Sequence, residues 1–254
     1  MEKKTSVWYK ILKWLIWLFY PKTQVVGAQS LPQEPVIFVG NHTQLNGPIV
    51  CELYMPRERY TWCAGEMMRW KEVPSYAFRD FWSQKPKYTH WYYKLLAYLI
   101  TPVSVCLFNN ANTIAVHRDA RLINTFRTTV NTLEAGVSVV IFPEHDVKHN
   151  HIVYDFQDKF TDVAKLYYKR TGKAVKFVPM YIAPNLRQVH FGIPMAYDPE
   201  ESMDTQRSRL CNYLMAEITR VAEALPEHTV VPYRNIPKKL YPSNKEASHE
   251  DPCG

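Results

Sequence analysis

Nothing in this sequence spells a disulfide framework, a structural zinc site, a repeat or a secretory leader. The five cysteines, Cys51, Cys63, Cys106, Cys211 and Cys253, are odd in number, scattered and never spaced as CxxC, which excludes a small stapled scaffold. A reducing, cytosolic compartment fits them best. No internal repeat and no low-complexity tract occurs, and no small-residue cleavage site follows the apolar N-terminus. No uninterrupted apolar run reaches the roughly 20 residues of a bilayer-spanning helix. Acidic residues are the scarcer charge: 24 Asp plus Glu face 31 Lys plus Arg, a formal net charge of +7. That imbalance points to anionic partners such as lipid headgroups, phosphorylated substrates or nucleic acid.

What is present is a chain of 254 residues, 46% hydrophobic and 22% charged, the balance of a folded globular protein long enough to bury its core unaided. Its 7 Trp and 17 Tyr gather partly in two apolar stretches flanked by lysine, a combination that favours a membrane surface. The first, residues 7–20, carries Trp8, Trp14 and Trp17 with Lys10 and Lys13 inside it. It is too short and too charged to span, so it reads as an in-plane amphipathic anchor ended by Pro21. The second, Trp91 to Phe108, is expected to be core or membrane-facing, with its helix broken at Pro102. The chain therefore divides into an anchor segment over 1–22, an α/β domain over 23–226 and a polar tail over 227–254, whose last dozen residues are expected to be disordered.

Between those ends the pattern alternates. Short apolar runs over 36–40, 60–64, 114–116, 137–142 and 175–182 read as strands. Helical spacing recurs over 122–133, with Leu122, Ile123, Phe126, Val130 and Leu133 as its apolar face, then around 161–169 and 210–225. Strands alternating with helices imply βαβ units, hence an α/β fold in which a single domain holds a mixed, partly parallel sheet flanked by helices. In such sheets ligands bind outside the carboxyl ends of the strands. Asn41 and His42 stand directly after the first of them.

Four segments then stand out in order: Gly40-Asn41-His42-Thr43-Gln44-Leu45-Asn46-Gly47-Pro48, Ile114-Ala115-Val116-His117-Arg118-Asp119, Val140-Ile141-Phe142-Pro143-Glu144-His145 and Phe177-Val178-Pro179-Met180. Together they resemble the four blocks of the glycerol-phosphate and lysophosphatidic acid acyltransferase family, which read roughly NHxSxxD, GxxFIDR, FPEGTR and VPV. The resemblance covers about residues 24–195 and implies that family's fold behind the anchor helix. It also implies the chemistry. A hydroxyl attacking an acyl thioester needs a general base, and His42 holds that place. Arg118 matches a phosphate-binding arginine, suited by its planar fork, and Glu144 matches a glutamate that shapes the acceptor pocket. Val178 and Pro179 are expected to be structural.

The pattern departs from the family twice. The aspartate that orients the histidine would fall at Gly47; with one residue deleted, Asn46 takes its place and can hold a ring tautomer without supplying charge. The same Asp-to-Asn exchange in a serine-protease triad lowers turnover about 10⁴-fold. In the third block His145, Asp146 and Val147 stand where Gly-Thr-Arg is usual, leaving Lys148 as a point-charge substitute. The resulting run, Glu144 to His151, superficially suits a metal through His145 and His149, but an acceptor-binding loop explains the same residues. His145 or Asp146 could also restore an acid–base dyad.

The expectation is thus an enzyme on the cytoplasmic face of a membrane, peripheral or monotopic. It moves a fatty acyl group from acyl-CoA or acyl carrier protein to a lysophospholipid-like acceptor, and needs no metal or redox cofactor because the thioester supplies the driving force. The alternative is a weak or inactive homologue that binds lipid or acyl carrier protein. Nucleic acid is not an expected partner, since the basic residues are dispersed and no recognition motif occurs.

Overall fold

The elements of the computed structural model follow in chain order. They are α1 (Val7–Phe19), β1 (Gln24–Val26), β2 (Val36–Gly40), α2 (Asn46–Tyr54), β3 (Arg59–Ala64), α3 (Val73–Ala77), α4 (His90–Asn110), β4 (Thr113–Val116), α5 (Leu122–Glu134), β5 (Ser138–Ile141), α6 (Asp162–Thr171), β6 (Lys176–Ala183), β7 (Gln188–Phe191), β8 (Met195–Ala196) and α7 (Met203–Ala224). The structure describes residues 5–117, 119–145, 152–153 and 155–245. The architecture is the expected one, mostly parallel strands flanked by helices behind an N-terminal helix. The chain folds as two compact units, one formed by residues 1–21 and 60–128, the other by 22–59 and 129–254.

In the second unit, β2 is the axis. It pairs in parallel with β5 on one side and β6 on the other, and all five of its residues are buried, which is why it reads as a continuous apolar run rather than an alternating one. β7 and β8 pair antiparallel with β6, and β1 lies parallel to β7. Pro179 sits on β6 between the stretch covered by β8 and the stretch covered by β7, where a missing ladder donor costs least. α7 packs on β6, and its Leu210, Leu214 and Ile218 are fully buried.

The segment after Pro226, read from the sequence as a polar tail, is tied to the second unit as far as the described residues go. His228 N–H donates to Asn244 Oδ1 (2.9 Å) and Asn244 N–H returns a bond to the His228 carbonyl (3.0 Å). Val230 N–H reaches the Pro242 carbonyl at 2.8 Å. These bonds close a loop over residues 231–241. Asn244 is fully buried and also donates to the Ala222 carbonyl at 2.9 Å, so polar composition here marks a hydrogen-bonded clasp rather than a solvated end. Residues 246–254, the rest of the expected disordered dozen, lie outside the described residues.

In the first unit, β3 and β4 form a parallel pair joined through α3 and α4. Contrary to expectation, α4 runs unbroken through Pro102. Its inner side, Ala97, Thr101 and Ser104, is buried, and Ser104 Oγ donates to the Met67 carbonyl at 2.9 Å. Pro102 lies on the outward side with Tyr98 and Leu99, so the carbonyl deprived of its donor belongs to that outward side. α1 packs on α4 and is tied to it where Ser6 N–H donates to Asn110 Oδ1 at 2.9 Å.

Candidate active site

Two parallel strands with a common direction deliver their C-terminal ends to the same edge of the second unit. β2 ends at Gly40, and the chain leaves it through Asn41 and His42. Asn41 makes the exit rigid: its side-chain oxygen accepts from Ile182 N–H (2.7 Å) and its amide donates to the Ile182 carbonyl (3.0 Å), extending the β2–β6 ladder by one side-chain rung. β5 ends at Ile141, and Phe142, Pro143 and Glu144 follow. Glu144 is 3% exposed, and its carboxylate accepts a hydrogen bond from His42 N–H. Two blocks 102 residues apart are thereby joined, the carboxylate holding the backbone of the histidine.

The turn from His42 into α2 is unusual. Thr43 and Gln44 both adopt left-handed conformations, with φ of 48° and 56°, a region that costs non-glycine residues free energy and persists only where surrounding bonds fix it. The Thr43 carbonyl accepts from both the backbone N–H (3.1 Å) and the side-chain amide (3.0 Å) of Asn46, and Gly47 N–H donates to the His42 carbonyl at 3.1 Å. A Cβ on Gly47 would stand 2.4 Å from that carbonyl oxygen. No side chain fits there on this backbone, so glycine at the position of the family's aspartate is a steric requirement of the turn.

The half-buried imidazole of His42 lies between Phe142, at 5.1 Å between centroids and nearly edge-on, and Tyr233, at 4.9 Å. Its Nδ1 is shut off from solvent and has no hydrogen-bond partner among the described residues. Asn46 occupies the same turn but does not hold Nδ1. Burial pushes the imidazole pKa from 6.5 down to about 4, opposed more weakly by backbone groups of Gln44 and His42. The ring is neutral at ordinary pH.

The remaining expected residues fall elsewhere. Arg118, Lys148, Asp146 and His149 lie outside the described residues. Asp119 is held by Arg121 in a two-pronged contact (3.0 and 2.7 Å), which brings its carboxyl down to about 2. His145 is half exposed with Nε2 at 3.8 Å from Asp155. No cluster of three or more His, Cys, Asp or Glu suited to a metal occurs among the described residues. The first unit holds a cavity of about 360 Å³ whose lining includes Arg69, His117, Arg121 and Asn124; Arg69 is paired with Glu72 at 3.0 Å.

No family model matches the sequence, and no curated protein matches it. Among solved structures, the chain is similar to the 1-acyl-sn-glycerophosphate (LPA) acyltransferase PlsC of Thermotoga maritima, at 16% identity and a TM-score of 0.46, over 85% of this chain and 79% of that one.

Three neighbours of His42 were not singled out by the sequence pattern. Gln44 donates through its amide to Tyr241 Oη at 2.9 Å and to the Arg234 carbonyl at 3.4 Å, fastening the 231–241 loop to the strained turn, and Tyr233 comes from that loop. A tyrosine 191 positions downstream in a proline-bearing stretch leaves no trace in periodicity or spacing. Phe142 was visible as part of its block, but not as a wall of the histidine.

Proposed function

We propose that this protein is a membrane-associated O-acyltransferase that moves a fatty acyl group from acyl-CoA or acyl carrier protein to the hydroxyl of a lysophospholipid-like acceptor. The observation that carries the reading is the junction of the first and third blocks: His42 at the end of the central parallel strand, its backbone held by the buried carboxylate of Glu144. His42 takes the hydroxyl proton as the acceptor oxygen attacks the thioester carbonyl; the thiolate then leaves and recovers that proton from the imidazolium. No metal or redox step is required. Arg118 and Lys148 carry the positive charge for an anionic headgroup, and Glu144 acts through the turn that holds His42. The membrane part of the reading is supported by α1 and α4. Among the described residues, Lys87–Asn110 is the one helical stretch long and apolar enough to cross a membrane. Trp8, Trp14, Trp91 and Tyr98 are all exposed, as suits helices lying in a membrane interface.

The test is transfer of radiolabelled acyl groups from either donor to a pool of lysophospholipids by wild type and His42→Ala. Histidine-dependent label in a lipid product is expected, and its headgroup names the acceptor. A second reading, a weak or inactive homologue that binds lipid or acyl carrier protein, is favoured by the low pKa of the ring, whose Nδ1 has no hydrogen-bond partner among the described residues. Absence of label with both donors, together with retained lipid or carrier binding, would establish that reading instead.

A further inference from the structure

A base in an acyl transfer has to keep its ring in one orientation, and here the usual device is missing. Among the described residues Nδ1 of His42 makes no hydrogen bond, and the Glu144 carboxylate accepts from the backbone N–H of the same residue. What faces the ring is aromatic: Phe142 on one side, inclined at 63°, and Tyr233 on another, inclined at 59°. Phe142 follows β5 directly, so the strand fixes it. Tyr233 belongs to a loop, and that loop is anchored at three places. The His228–Asn244 pair closes its base; His228 Nε2 meets the hydroxyl of Tyr181, on β6, at 2.8 Å; and Gln44, two residues beyond the histidine, holds it at Tyr241 and Arg234. A loop serving only to cover apolar surface would not need a polar tie to the two-residue left-handed turn that carries the base.

We propose that Tyr233 is a positioning residue for His42: the 231–241 loop presses its ring against the imidazole so that, with Phe142, packing fixes the orientation that a carboxylate hydrogen bond would otherwise fix. The inference deepens the acyltransferase reading and rests on it for its consequence in turnover; its structural content does not. Packing is the operative feature, so phenylalanine at 233 serves as well as tyrosine. Among the described residues, the titratable and charged groups brought to this turn are Glu144 on the histidine backbone, Tyr233 on the ring, and Tyr241 and Arg234 beyond Gln44.

The test reads the ring directly, by NMR of the full chain with ring-labelled histidine, the His42 signal being the one of nine lost in His42→Gln. In wild type and Tyr233→Phe the signal is expected to be displaced by the neighbouring ring and to titrate near pH 4. In Tyr233→Ala it is expected to lose that displacement and titrate at least one pH unit higher. Gln44→Ala, which unties the loop without touching the ring, is expected to move it in the same direction, and it decides the matter if Tyr233→Ala does not fold. An unmoved signal in the alanine variants overturns the proposal, as does Tyr233→Phe behaving like Tyr233→Ala, which would assign the role to the hydroxyl. None of these readouts needs turnover, so a protein that transfers no acyl group can still pass or fail them. Where transfer is measured, Tyr233→Ala is expected to lower kcat at least tenfold with KM within about threefold, and Tyr233→Phe to restore it.

Discussion

A general base works best with a pKa near the working pH, and His42, at about 4, sits well below it. The cause is burial without a compensating charge, and it leaves a signature in stability. Above pH 6.5 both folded and unfolded states hold the ring neutral; between 6.5 and 4 only the unfolded state takes up the proton, so folding loses stability as the pH falls through that window. From pH 7 to pH 5 the loss is about 2 kcal/mol. Urea unfolding at the two pH values is expected to show it in wild type and to show a drop smaller by that amount in His42→Gln; equal drops would place the ring in solvent. The glycine beside it makes a second case. Gly47→Ala drives a methyl to 2.4 Å from the His42 carbonyl, and overpacking of this kind is expected to cost about 2 kcal/mol or more, read in the same unfolding assay. At this scale the sequence was informative where a residue lies in its block: His42 and Glu144 were legible because short blocks follow buried strands. The expected orienting bond from Asn46 was not to be had from spacing, because a left-handed turn spends its amide on Thr43.

Elements were legible in proportion to how continuous their burial is. β2 and β5 are buried at every residue, and their apolar runs marked them. α5 was recognised, yet its buried side differs from the simple periodic reading. Ile123 is 63% exposed while Thr125 and Thr129 are buried, since Thr125 Oγ1 donates to the Ala115 carbonyl at 2.7 Å and so enters the interior satisfied. The same physics hid the C-terminal clasp, which is built from polar side chains and backbone rather than from an apolar pattern. Its keystone is Asn244. Asn244→Ala removes acceptor and donor together and leaves the His228 N–H without its partner, for an expected loss of about 3 kcal/mol. Limited proteolysis is expected to cut first within 227–245 in that variant, ahead of any cut in β2 or β6. Loss of the strand core at the same rate would mean that the clasp and the sheet unfold as one cooperative element.

For the molecule as a whole, the excess of basic residues and the placement of tryptophan act together on the first unit. α1 turns Tyr9 inward and leaves Trp8, Trp14 and Trp17 exposed, while the α4 it packs on leaves Trp91, Tyr98 and Leu99 exposed. Exposed aromatics on two touching helices are apolar surface that an interface would bury. Lys10 is exposed on the same helix, and Lys13 lies 5.9 Å over the Tyr9 ring. Apolar burial in an interface is indifferent to headgroup charge, whereas lysine is worth about 1 kcal/mol each only near an anionic surface. The two contributions can therefore be separated on vesicles. Replacing Trp8, Trp14 and Trp91 by serine is expected to abolish sedimentation with neutral and anionic vesicles alike, as is deletion of residues 1–20. Lys10→Gln with Lys13→Gln is expected to weaken binding to phosphatidylglycerol vesicles roughly thirtyfold at low salt and leave neutral vesicles unaffected. Unchanged sedimentation of the tryptophan variant would show that this surface does not meet lipid, and the membrane part of the proposed function would fall with it while the chemistry at His42 stood.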